Sequence, residues 1–140
     1  MKHFLSIFTV IFIITGCSPK TEGNPERFKV GNFEIPAGDG YGKTTITRTD
    51  SLQIEKYTKL ISVSNDSANY TKEEVHIDTL FVTWKNNFAY TLRMKNPKTA
   101  LDKDPIFVQI TKVTDTSYSF NAKIGYSNFK NSGTVYISKN

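Results

Sequence analysis

The chain has 140 residues, with 18 Lys and Arg against 13 Asp and Glu and a single cysteine. That length excludes two comfortable domains, and the lone Cys17 excludes an intrachain disulfide. The basic residues (Lys29, Lys43, Lys59, Lys85, Lys103, Lys130) are scattered and form no run of the kind that tracks a nucleic-acid backbone.

Met1–Cys17 (MKHFLSIFTVIFIITGC) opens on Lys2, runs apolar from Phe4 to Thr15 and ends Ile14-Thr15-Gly16-Cys17. A basic start, a short apolar run and a small residue before the cut make a secretory signal peptide. The run is too short for the roughly 20 apolar residues of a membrane span. The sequence therefore predicts a signal helix over residues 1–16, with cleavage between Gly16 and Cys17. Of the basic residues only Lys2 falls in that segment, so the remaining 124 residues carry a balance of +4. Ile-Thr-Gly-Cys resembles the bacterial lipobox, and that resemblance implies a lipidated Cys17. Residues 17–26, polar with two prolines and a glycine, read as the lipidated linker that holds the domain off the bilayer. Residues 27–140 read as a single β-domain, rich in Thr, Val, Ile, Tyr and Phe.

Phe28–Ile35 reads as a strand whose apolar phase shifts at Gly31, which predicts a bulge. Pro36–Gly42 is a glycine-rich loop. Thr44–Arg48 and Leu52–Tyr57 form a hairpin about Thr49-Asp50-Ser51, the second strand running on to Val63, before a polar loop at Asn65–Lys72. Val75–Trp84 and Phe88–Met94 flank Lys85-Asn86-Asn87. A two-residue loop would pair Trp84 with Ala89. A three-residue loop with Asn87 left-handed pairs Trp84 with Phe88 and Val82 with Tyr90, and it puts the large apolar groups on one face. We expect the three-residue loop, with a second bulge near Asp78-Thr79. After a charged loop at Asn96–Pro105, Ile106–Val113 and Tyr118–Ile124 match as Ile110/Phe120, Val108/Ala122 and Ile106/Ile124. A last strand, Thr134–Ser138, follows a turn at Asn131-Ser132-Gly133. About eight strands in antiparallel meander order predict an all-β fold, a small lipocalin-like barrel, with a two-sheet sandwich as the alternative.

Chemistry-bearing patterns are few. Ala37–Thr44 (AGDGYGKT) fits a relaxed phosphate-loop pattern, but β-branched residues follow where a helix is required, so the glycines read as a strand connection. His76 is the only histidine after the signal, and zinc needs three or four ligands. Arg48, Gln53 and Glu55 lie across one hairpin, where Arg48 and Glu55 could pair on a shared face. Trp84, Phe88, Tyr90 and Phe120, with Arg48, are the candidate lining of a cup for a small hydrophobic ligand, and the same aromatics equally suit a filled core. No nucleophile or acid–base set assembles, so no catalytic residue, metal site or cofactor is expected. A filled interior would argue against a carrier, and a clustered pair of carboxylates in a cleft would argue for an enzyme.

The chain resembles a group of short lipoproteins from Bacteroidota without established activity, some of which carry the description "DNA topoisomerase IV". The resemblance rests on Phe28–Phe33 (FKVGNF), Arg48–Ile54 (RTDSLQI), Asp78-Thr79, Val82–Asn86 (VTWKN), Asn96–Thr99 (NPKT), Pro105-Ile106, Ser117–Phe120 (SYSF) and Gly133–Val135 (GTV). From it, together with the lipobox, the scattered charges and the missing acid–base set, we expect a non-enzymatic domain anchored in the bacterial cell envelope, whose partners are the membrane and an envelope protein or small hydrophobic ligand, with no nucleic acid. Topoisomerase chemistry needs a catalytic Tyr within a large DNA-gripping scaffold, which this short chain does not offer. Ser18 rather than Asp after the cysteine resembles outer-membrane sorting.

Overall fold

The computed structural model describes residues 18–65 and 68–139; the predicted signal helix, Gly16 and Cys17 lie outside them. Nine strands follow in order: β1 (Lys20–Thr21), β2 (Gly31–Ile35), β3 (Thr44–Arg48), β4 (Leu52–Asn65), β5 (Ala68–Asn86), β6 (Ala89–Met94), β7 (Ile106–Val113), β8 (Ser117–Ile124) and β9 (Lys130–Ile137). Each of β2 to β9 pairs antiparallel with the next, and β9 pairs back onto β2 through Phe33↔Ile137 and Glu34↔Tyr136. The sheet is thus a closed eight-stranded meander barrel rather than a two-sheet sandwich, and closure leaves those strands no long free edge in the barrel wall.

Alternation builds the core, interrupted in β7 by a register shift between Ile110 and Lys112 that keeps both Ile110 and Val113 buried. Phe33, Ile46, Leu80, Val82, Tyr90, Leu92, Val108, Ile110, Tyr118 and Val135 point inward and are buried, while their neighbours Thr45, Lys56, Arg93, Gln109 and Asn121 face out. The β7–β8 register is the one the sequence predicts, with Ile110, Val108 and Ile106 opposite Phe120, Ala122 and Ile124.

Several expectations are corrected. The predicted strand from Phe28 is a 3₁₀ turn, Pro25–Phe28, capped by the Asn24 side chain, and extended pairing begins only at Gly31. Gly31 has φ 141°, a conformation that redirects the chain and that side chains resist. Phe28 then folds under the barrel, fully buried at 0% exposure, and closes that end. Residues 17–26 are not simply a spacer. Lys20 and Thr21 pair parallel with Lys112 and Val113, on a stretch of β7 that extends past its pairing with β6. Gly23 passes so close to the β7–β8 turn that a Cβ would lie 2.4 Å from the Thr114 carbonyl oxygen.

The hairpin of β4 and β5 is longer than predicted. It pairs without interruption from Leu52↔Phe81 to Asn65↔Ala68, so most of the predicted 65–72 loop is strand and no bulge occurs at Asp78-Thr79. Val75 and Ile77 look out of phase because they lie on the outer face, 61% and 65% exposed. The register shift lies between Trp84 and Asn86 instead, and Trp84 pairs with Tyr90 and Val82 with Leu92. The apolar face is the predicted one, but the register differs by two residues, which preserves side-chain alternation. Asn87 is not left-handed, Asp39 being the non-glycine residue with positive φ among the described residues. The turn is held by the Asn86 side chain, which accepts the Phe88 N–H at 2.8 Å. Finally, Asn131–Gly133 lies within β9, and the Phe120 ring lies 3.2 Å from where a Cβ of Gly133 would be.

Candidate functional site

The closed half of the barrel is built round Arg48, the last residue of β3, which is 1% exposed. Its Nε donates to Gln53 Oε1 at 2.7 Å and its Nη1 to the Phe28 carbonyl at 2.6 Å. Nη2 donates to the hydroxyls of Tyr118 (3.1 Å) and Tyr90 (3.3 Å), which lie 2.9 Å apart. Four of the five guanidinium N–H groups therefore have partners. The rings of Tyr90, Phe33, Trp84 and Tyr118 surround the guanidinium carbon at 4.9, 5.4, 5.6 and 6.0 Å. Such ring contacts are worth roughly 0.5–2 kcal/mol each when water is excluded. A permanently charged group is expensive to bury; here an aromatic cage and neutral acceptors replace its hydration.

Register places the rest of the network. Arg48 is directly opposite Gln53, so β4 turns Gln53, Glu55 and Tyr57 inward and Leu52 and Ile54 outward. Gln53 Nε2 donates to Glu55 Oε1 at 2.5 Å, so the amide relays the cation to the carboxylate. The direct Arg48–Glu55 ion pair considered from sequence is replaced by this relay. Glu55 faces Asp78 across the β4–β5 ladder, and Asp78 accepts the Tyr57 hydroxyl at 2.9 Å. Burial pushes the Glu55 carboxyl above the usual carboxylate range, with Asp78 acting in the same direction. The Tyr57 hydroxyl is raised by burial and by Asp78. Above them the His76 ring stacks on Tyr57 at 5.2 Å, and His76 Nε2 lies 3.1 Å from Glu74 but out of line for a hydrogen bond.

Of the five residues read as a cup lining, Arg48, Trp84 and Tyr90 come together, with the Trp84 and Tyr90 rings 4.5 Å apart. They pack against one another within the core cluster. Phe120 contacts the cluster through Tyr118, and Phe88 sits at the β5–β6 turn against the core. Phe28, Tyr118 and Asp78 are members that sequence reasoning missed; the interleaved Tyr-Ser-Phe of β8 is the signal that could have marked Tyr118. Two carboxylates do meet, Glu55 and Asp78, but the distances show each engaged by a β4 side chain. Among the described residues no group of three or more His, Cys, Asp or Glu could hold a metal ion.

A concavity of about 590 Å³ lies on the outer wall instead. Comparison with protein-family models, curated proteins and solved structures found no match.

Proposed function

We propose that this protein is a lipid-anchored, non-enzymatic barrel of the bacterial cell envelope that acts as a binding or structural module. The observation that carries the reading is the Arg48 cage. The groups that a carrier would offer to a ligand are spent on one another, which leaves the outer wall and the projecting β4–β5 hairpin as the presenting surfaces. The anchor rests on Ile14-Thr15-Gly16-Cys17, and the outer-membrane location on the resemblance of Ser18 to a sorting residue. The wall itself supports anchoring rather than spanning. Thr45, Thr47, Lys56, Arg93 and Lys123 share the outward face with Ile54, Phe81, Phe107 and Tyr136, a mixed surface rather than the continuous apolar band of membrane barrels.

Two acyl chains hold a protein firmly at about 0.8 kcal/mol per buried methylene, whereas one holds it marginally. Labelled fatty acid should therefore enter the wild-type chain in its host, and Cys17→Ala should lose both the label and membrane retention. Label persisting in Cys17→Ala would refute the anchor. The carrier of a small hydrophobic ligand is the second reading. Its one supporting observation is the Trp84 indole N–H, buried without a partner. Native mass spectrometry of the protein from its host tests it: a co-purifying apolar molecule would establish the carrier.

A further inference from the structure

We propose that the outer-wall groove across β5 to β9 binds an acidic oligosaccharide, a sugar chain bearing carboxylate or sulfate groups. The inference rests on the binding-module reading and names its ligand class. The groove follows two cross-strand rows. In one, Thr91, Phe107, Lys123 and Lys130 stand directly opposite one another from β6 to β9; in the other, Ala89, Gln109, Asn121 and Ser132 do the same. Lys85 joins from β5. From β6 to β9 the rows run roughly 14 Å, three strand spacings.

Charge is the first argument. Lys85, Lys123 and Lys130 line the groove with no Asp or Glu among the lining residues, and none of the three makes an ion pair among the described residues. Lys123 and Lys130 are directly paired across β8 and β9. Like charges so placed destabilise a sheet, and a bound anion reverses that sign. The floor of the groove adds an apolar contact. Phe107 is 45% exposed in the middle of the row, a flat apolar face for the C–H side of a sugar ring. Asn121 and Ser132 beside it are exposed and match sugar hydroxyls. Gln109 is pinned by its amide donating to the Phe88 carbonyl at 3.1 Å.

An acidic peptide fits less well. The main-chain groups of these strands are paired in the ladder, and an extended peptide binds a sheet through a free edge.

The test uses the full chain in mild detergent at low salt, titrated by calorimetry with oligogalacturonate, a sulfated heparin oligosaccharide and neutral dextran. One or both acidic chains should bind and dextran should not; which one binds separates carboxylate from sulfate. Lys123→Gln with Lys130→Gln should weaken binding by at least about tenfold, the scale of one lost charged hydrogen bond. Phe107→Ala should weaken it while keeping the salt dependence. Lys59→Gln with Lys72→Gln removes the same charge from the remote hairpin and should change nothing. These side chains are exposed, and circular dichroism checks that each variant folds. Binding of neither acid chain, equal binding of dextran, or an equal loss in the hairpin variant would overturn the proposal. The Cys17 labelling result does not depend on any of these outcomes.

Discussion

Arg48 shows how one residue organises a core. Truncation to Ala would leave Gln53 Oε1, the Phe28 carbonyl and two tyrosine hydroxyls facing a void. Unmet buried polar groups and a cavity together should cost about 3–5 kcal/mol in urea unfolding. Arg48→Lys keeps the charge but loses the planar fork and the ring contacts, so it should recover only part of that loss. Glu55 gives a pH signature. Its folded pKa is raised by burial, so its contribution is fully present below the unfolded value and is lost as pH rises through the folded value. Glu55→Gln, which still accepts from Gln53, should therefore be more stable than the parent at neutral pH. The two should converge below about pH 4. Thermal unfolding of both proteins across pH 3–8 checks this, and a constant difference over that range would contradict it.

At the scale of elements, the β5–β6 turn depends on a side chain rather than on a left-handed residue. Asn86 holds it by accepting the Phe88 N–H, so Asn86→Ala should cost about 0.5–1.5 kcal/mol, the usual worth of one hydrogen bond. Asn87→Gly should gain nothing, because Asn87 has no positive φ to relieve. Denaturant unfolding of the pair separates the two roles; a larger loss at Asn87 would contradict the Asx-type turn. The β4–β5 hairpin makes a second case. β3 covers β4 only to Lys56, with an isolated bridge at Lys59, and β6 covers β5 only from Leu80. Beyond those points the hairpin is a two-stranded ribbon, a form that contributes little stability by itself. Replacing residues 62–71 by Asn-Gly should leave the melting temperature of the barrel within a few degrees of the parent, as calorimetry would show.

For the whole molecule, closure and capping matter most. The 3₁₀ turn brings Phe28 beneath the barrel, where its ring packs on Tyr118 at 5.1 Å and its carbonyl accepts from Arg48. The chain before it is stitched to β7, and the Glu22 N–H donates to the Val113 carbonyl at 2.9 Å. With Cys17 lipidated, only Ser18 and Pro19 would separate the anchor from the first paired residue, Lys20. The closed end would then lie against the bilayer and the β4–β5 ribbon would point away from it.

Composition and alternation alone determined an all-β domain, a meander of about eight strands, the β7–β8 register and the apolar face of β5 and β6. These are local quantities, because a period of two assigns each strand a buried face without reference to its neighbours. Tertiary structure decided what depends on residues distant in sequence. The inward turn of Gln53, Glu55 and Tyr57 runs against the apolar pattern of Leu52 and Ile54, and only a buried Arg48 directly opposite Gln53 makes it favourable. The fold of Phe28 under the barrel likewise needs a cavity walled by β8, 90 residues onward. Val75 and Ile77 keep the alternation set by Leu80 and Val82 and so fall on the outer face; only the uninterrupted β4–β5 pairing, a long-range quantity, decided that no bulge at Asp78-Thr79 turns them inward.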